Sequence, residues 1–415
     1  MTTRRAFLGA AAALRNFCYA GTSKRSVARP RSAWIPSDIH LAGLHSAMTV
    51  GSLPAVQIAC VDETKVVWTH TFGLSNVQQK ERASDDTLFE AASMSKPVFA
   101  YVVLKLAEDK LIDLNRPLAE YFRPDYFPPS SRIDRITARE VLTHSSGLPN
   151  WGGDTPESYL PSFEPGTAFR YSGEGYFWLQ QVVEHLSGRG LESIMQTKLF
   201  IPLGLQWTSY TLTPRNVKRF SYGHEHGALT PQPRRVKLER LASIEIRGGI
   251  PLESWSQADF VKAFRETDAG GQRTARSLYV NAAASLLTTA TEYAKLTTLL
   301  MEHRPRGSWE IRDDTRRAMI SPQKRITNDG SYTWGLGWSV ERTSTGVLFA
   351  HGGNNDNRFK TFAVGHAEQG SAVVVLTNGD SGDRIYERLI REATGHDLLA
   401  FLANLNPPAL PPLRA

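Results

Sequence analysis

A serine and a lysine three positions apart, Ser93 and Lys96, open a long apolar stretch at 97–110. On a helix that offset puts both side chains on one face. A hydroxyl is a weak nucleophile until a neighbour takes its proton. A lysine amine held away from water gives up its own proton more readily, which suits it to that task. A helix N-terminus would add backbone N–H groups and partial positive charge for a developing oxyanion. Pro97 fits a first helical turn, where a missing N–H costs nothing. Ser93-Met94-Ser95-Lys96 also describes a helix cap followed by a solvated lysine, so spacing alone leaves both readings open.

Other residues invite a chemical reading. Tyr171 precedes an aromatic run with Tyr176, Phe177 and Trp178, where a packed core tyrosine is the bland alternative. His351-Gly352-Gly353 closes an expected strand, and two glycines would let a substrate lie against its edge without side-chain clash. Gly379-Asp380-Ser381-Gly382 imitates a protease nucleophile loop but reads as a turn, since that chemistry needs His and Asp partners on another architecture. His224-Glu225-His226 lacks a third metal ligand and reads as surface. His144 is expected to hydrogen-bond locally within its loop, and Trp151 either lines a cleft or is buried. No metal spacing and no phosphate-binding glycine loop is present, so no cofactor is expected.

The elements that must carry these groups are legible in part. Ser37 is placed to cap a helix reaching about Val50. Residues 55–61 and 65–72 are β-branched and aromatic, with a turn at 62–64. Residues 97–110 form a helix, 111–280 are mixed and punctuated by Pro and Gly, and a helix re-enters at 291–300. Strands follow at 334–341, 347–351, 360–365 and 372–377, then a helix at 384–394. Joining both ends into one antiparallel sheet gives an α+β fold: an antiparallel β-sheet flanked by helices, with an inserted mostly helical domain. The expected division is 1–37 as leader and linker, 38–105 plus 290–400 as the sheet domain, 106–289 as the insertion and 401–415 as a Pro-rich tail.

The 415 residues carry a net charge of +7, which suggests a nucleic-acid partner until the charges are located. Residues 1–31 hold seven cations and no acid, leaving 41 cations against 41 acids elsewhere. The body is neutral, so neither DNA nor RNA is indicated. Thr3-Arg4-Arg5-Ala6-Phe7-Leu8 with the apolar residues after it resembles a twin-arginine export signal, and an organelle transit peptide is the alternative. No stretch is long and apolar enough to be an integral membrane segment. Of two cysteines, Cys18 falls in the leader and Cys60 in a strand, where it reads as a small buried hydrophobe.

Three segments resemble class C β-lactamases, penicillin-binding proteins and their esterase relatives. They are residues 91–120 around Ser93 and Lys96, 136–148 around His144, and 163–176 around Tyr171, in matching order and separation. The resemblance spans roughly 38–400. It implies an acyl-enzyme mechanism with Ser93 as nucleophile, Lys96 as its partner and Tyr171 as proton shuttle. For a shuttling role the Tyr171 phenol would need nearby cations to lower its pKa. His351-Gly352-Gly353 matches the Lys-Thr-Gly element, and the Asn354 N–H would be the second oxyanion donor. Two departures stand out. Gly173 replaces the asparagine of Tyr-x-Asn, and His351 replaces a lysine that would meet a substrate carboxylate; Arg358 is a substitute or a surface residue. Both departures favour small esters or D-amino-acid amides over β-lactams. A true β-lactamase and an inactive binding protein on the same scaffold remain the alternatives.

Overall fold

The computed structural model describes residues 34–213, 215–232, 251–260, 262 and 280–402. The leader signal, Cys18 and the Pro-rich tail at 407–413 lie outside the described residues.

Helix α1 (Asp38–Val50) starts as expected, with Ser37 accepting from the His40 N–H. The hairpin of β1 (Ala55–Asp62) and β2 (Lys65–Asn76) turns through Glu63 and Thr64, both at positive φ. That backbone matches the twist of two-residue hairpins. Short strands β3 (Glu81–Arg82) and β4 (Phe89–Glu90) lead to α2 (Ser95–Glu108). Then come α3 (Ala138–Leu142), α4 (Gly173–Ser187) and α5 (Leu191–Met195). After them lie β5 (His224–Glu225), β6 (Ala228–Leu229), β7 (Leu287–Thr288), α6 (Ala290–Thr298) and α7 (Asp313–Met319). The chain closes with β8 (Lys324–Arg325), β9 (Tyr332–Trp334), β10 (Ser339–Thr343), β11 (Gly346–Asn355), β12 (Phe359–His366), β13 (Ser371–Thr377), α8 (Gly382–Thr394) and α9 (Leu399–Leu402).

Nine strands form one sheet in the order β3-β2-β1-β13-β12-β11-β10-β9-β8, antiparallel throughout. The first strand and the last one in the sequence pair in the sheet, β1 with β13, with Ile58 opposite Val375. Both faces of β1 are covered, which explains its nearly unbroken apolar run. Val56, Ile58 and Cys60 pack with Leu44, Met48, Ile385 and Leu389. Ala55, Ala59 and Val61 join the cluster that holds Phe99 of α2, Trp178 of α4 and Ala294 of α6. Cys60 is buried as expected, and burial pushes its thiol up to about 12.

Two strand expectations need correction. The run 334–341 is not one strand. Trp334 ends β9 and Ser339 begins β10, with a tight turn between them. Gly337 has φ +100, and a Cβ there would lie 2.8 Å from the Ala100 Cβ. Its N–H donates to Leu142 O at 3.0 Å. The turn is therefore shaped by its approach to α2, which no local pattern records. Likewise β11 does not stop at His351-Gly352-Gly353 but continues to Asn355, paired with β12. His224 is also not a surface residue. It is fully buried, with Nδ1 3.1 Å from Asn378 O and Nε2 accepting from the Val77 N–H at 3.4 Å. His226 beside it is exposed and faces Asp380 at 3.1 Å. Among the described residues no cluster of His, Cys, Asp and Glu is arranged to hold a metal. Nor, among them, is any helix long and apolar enough to cross a membrane.

Candidate active site

Ser93 lies in a 3-10 turn, Ala92–Met94, immediately before α2. The Ser-x-x-Lys offset therefore bridges a turn and a helix rather than sitting within one helix. Ala92 adopts φ +50, a region that costs a non-glycine residue roughly 1–2 kcal/mol. Surrounding groups hold it there. The Ala91 N–H donates to Leu286 O at 2.8 Å, and Thr361 Oγ1 donates to Ala91 O at 2.9 Å. Ser95 Oγ donates to Ala92 O at 2.5 Å and accepts from the Leu286 N–H at 2.9 Å. The hydroxyls of Tyr293 and Tyr210 donate to the carbonyls of Met94 and Ser95 at 2.9 and 2.6 Å. The turn is thus fixed by partners from three distant parts of the chain, which preorganises the Ser93 side chain.

Lys96 is 1% exposed, and its Nζ donates to Ser93 Oγ at 3.2 Å and to Ala283 O at 2.8 Å. The amine also sits 4.7 Å from the centre of the Tyr171 ring and 5.9 Å from that of Tyr176. Burial disfavours the ammonium and pulls its pKa from 10.5 to about 7. That shift amounts to roughly 5 kcal/mol against the charged form relative to water. The bland reading of Lys96 as a solvated helix residue fails on this burial.

Tyr171 comes next to the Ser172 cap of α4, whose Oγ accepts from the Gly175 N–H at 3.0 Å. The Ser172 N–H donates to His144 Nδ1 at 3.0 Å. His144 therefore ties two segments together rather than bonding within its own loop. Its ring lies 4.2 Å from that of Tyr171. The Tyr171 hydroxyl faces Ser93 but has no hydrogen-bond partner of good geometry. Its pKa is not lowered as a shuttling role would demand. Burial raises it well above the ordinary phenol range. The reason is that Lys96, the nearest cation, is itself driven toward neutrality and lies over the ring face. Tyr171 stays a protonated phenol, able to donate.

His351 is buried, with Nδ1 2.7 Å from Gly352 O. A carbonyl only accepts, so Nδ1 carries the proton and Nε2 is the bare nitrogen. Nε2 has no partner, and burial followed by the Lys96 charge takes the ring pKa to about 3. Gly353 serves close packing. A Cβ there would lie 2.4 Å from Ala91 O and 2.3 Å from Thr361 Oγ1. The absent side chain lets β11 approach the Ser93 turn. Asn354 is exposed at the next position, and its Oδ1 accepts from the Asn357 N–H at 3.0 Å.

Ser93, Asn150, Tyr171, His351, Gly353 and Asn354 line one cavity of about 330 Å³. Five of these six were expected, and Lys96 sits buried behind Ser93. Sequence reasoning missed Asn150 and the Ala283 carbonyl. It also pointed to Trp151, which is 36% exposed beside Gly173 and does not line the cavity. Arg358 lies elsewhere, 3.3 Å from Glu225 and 4.0 Å from Asp356.

Residues 44–395 match the family model Beta-lactamase. The chain belongs to that family. Beta-lactamase-family homologues are serine hydrolases. Penicillin-binding protein 4* of Bacillus subtilis (strain 168) is 26% identical over 182 residues, which cover 38% of this chain and 39% of that protein. The match thus spans about two fifths of that relative's length. Two solved structures share the Beta-lactamase-type fold at low identity. The octameric penicillin-binding protein homologue from Pyrococcus abyssi has a TM-score of 0.64 and 19% identity, covering 87% of this chain and 78% of that one. A class C beta lactamase from Rhodobacter sphaeroides has a TM-score of 0.64 and 17% identity, covering 88% and 100%.

Proposed function

We propose that this protein hydrolyses small neutral esters or amides through an acyl-enzyme on Ser93. The observation that carries the reading is the buried Lys96 amine, near neutral and 3.2 Å from Ser93 Oγ. Lys96 takes the hydroxyl proton as Oγ bonds to the substrate carbonyl carbon. The N–H groups of Ser93 and Asn354 receive the oxyanion. The leaving oxygen or nitrogen departs with a proton from Lys96 or the Tyr171 phenol. Water then attacks the Ser93 ester, releasing the acid and restoring the serine.

The substrate side of the reading rests on charge. His351 is uncharged at neutral pH because its pKa is near 3. Arg358 is engaged by two acids outside the cavity. No permanent cation from these two positions meets a substrate carboxylate, so neutral substrates are favoured over β-lactams, which carry one. Rates on p-nitrophenyl butyrate, an N-acetyl-D-alanyl p-nitroanilide and nitrocefin test this. The expected order has the ester or the D-amino-acid amide ahead of nitrocefin. Nitrocefin turnover faster than both overturns the preference and makes the protein a β-lactamase.

A further inference from the structure

Gln180 of α4 is fully buried, and both ends of its carboxamide are engaged. Its Oε1 accepts from the Ala282 N–H at 2.8 Å. Its Nε2 donates to Val280 O and to Glu184 Oε1, each at 3.1 Å. Three different partners fix the amide in one orientation. Glu184 is anchored in turn, with Oε1 accepting from the Leu191 N–H at 3.0 Å and Oε2 from the Gln257 N–H at 2.8 Å.

Gln180 thus grips the main chain at residues 280 and 282. The next residue, Ala283, presents the carbonyl that Lys96 Nζ meets at 2.8 Å. Asn281 braces the same stretch from within. Its Oδ1 accepts from the Ala283 N–H at 2.7 Å, and its own N–H donates to Ser285 Oγ at 2.8 Å. Tyr176, four positions before Gln180 and on the same face of α4, lies 5.9 Å from Nζ across its ring. Helix α4 therefore meets the lysine directly through Tyr176 and indirectly through Gln180.

A neutral amine has two N–H bonds and one lone pair. The Ala283 carbonyl engages one N–H, which turns the lone pair toward the Ser93 hydroxyl. We propose that Gln180 is a positioning residue for Lys96: with Asn281 it holds the 280–283 main chain so that the Ala283 carbonyl orients Nζ toward Ser93 and water stays away from the amine. This rests on the acyl-enzyme reading above and deepens it, by naming what keeps the lysine in its reactive form.

The groups that face Lys96 do not titrate near neutrality. Burial raises the phenols of Tyr171 and Tyr176 well above the ordinary range. Burial and then the Lys96 charge lower His144 and His351. Glu184, which burial raises to about 7, touches Gln180 and reaches Lys96 only through it.

Gln180→Met keeps most of the volume but leaves Val280 O and the Ala282 N–H buried without partners. Such groups are driven toward water. Water admitted there reaches Lys96 and favours the ammonium form. The readout is the pH dependence of Ser93 labelling by an uncharged fluorophosphonate. In Gln180→Met its midpoint is expected to lie about one pH unit or more above that of the native protein, slowing labelling at pH 7 by about fivefold or more and recovering toward the native rate at pH 10. Asn281→Ala removes the acceptor of the Ala283 N–H without touching Glu184, and it is expected to move the midpoint the same way. The KM for p-nitrophenyl butyrate should stay within about twofold in both variants, since neither residue lines the cavity. Thermal unfolding shows which variants fold, and if Gln180→Met does not, Asn281→Ala decides alone. A midpoint that stays at the native value contradicts the proposal. So does a loss at pH 7 that persists undiminished at pH 10. A midpoint that moves in Gln180→Met and stays native in Asn281→Ala assigns the effect to Glu184 and also contradicts it. If native Ser93 is labelled and the variants match it, only the Gln180 proposal falls. If native Ser93 is never labelled, the acyl-enzyme reading falls with it.

Discussion

Ser93→Ala removes ester turnover and covalent labelling by a fluorophosphonate together, with a loss in kcat on the order of 10⁶-fold, as for other acyl-transfer nucleophiles. The size follows from the chemistry. Without Oγ no ester forms, and only the oxyanion donors and substrate positioning remain to help water attack directly. The fold should tolerate the change. Ser93 Oγ accepts one hydrogen bond, from Lys96, whose Nζ retains Ala283 O. Peptide mapping of the labelled native protein checks the position. An adduct on another residue, with Ser93 unmodified, removes Ser93 from the mechanism.

Lys96→Ala is expected to slow acylation by about 10²–10⁴-fold, the range of lost general-base catalysis. The defect should fall on acylation, read as the slow appearance of the intact-mass adduct. Unfolding is an unsuitable explanation for such a loss, and linkage gives the reason. Lys96 holds its proton less firmly in the folded chain, with a pKa near 7 against 10.5. Between those values the unfolded chain binds more protons, so stability rises with pH there. The penalty for burying Lys96 is full below about pH 7 and fades toward 10.5. Alanine removes that penalty, offsetting part of the packing lost with the stem. Thermal midpoints of the native and Lys96→Ala proteins should therefore converge, or cross in favour of the variant, as pH falls from 9 to 6. An unchanged acylation rate in Lys96→Ala would show that some other group takes the proton.

The parts of the molecule legible in the sequence were those set by short-range pattern. The Ser37 cap, the β1–β2 hairpin and the β12 and β13 strands follow from capping chemistry, β-branched and aromatic runs and turn residues. The joining of β1 to β13 follows from having strands at both ends and few between. What escaped depended on tertiary approach. The break between Trp334 and Ser339 exists because Gly337 meets α2, and nothing in the aromatic run announces it. His224 looked like a surface residue in a polar loop, yet Asn378 and Val77 bury it.

The site divides in the same way. Side chains with distinctive chemistry, Ser93, Lys96, Tyr171 and His351, could be named in advance. The Ala283 carbonyl that positions Lys96 leaves no mark in a stretch of alanines. Asn150 was hidden because it reaches the start of α4 through the space left by the missing side chain of Gly173. The expected lowering of the Tyr171 pKa failed for a related reason. Neutral rings of His144 and Trp334 surround the phenol, and the one nearby amine loses its charge to the same burial.

The rate of Ser93 labelling by an uncharged fluorophosphonate, followed between pH 5 and 10, bears most directly on the claim that an uncharged lysine activates the serine. The rate is expected to climb with pH through a single ionisation near 7, that of Lys96, and to level above it. A profile that keeps rising toward 10, as for a solvated lysine, or one that is flat throughout, contradicts it.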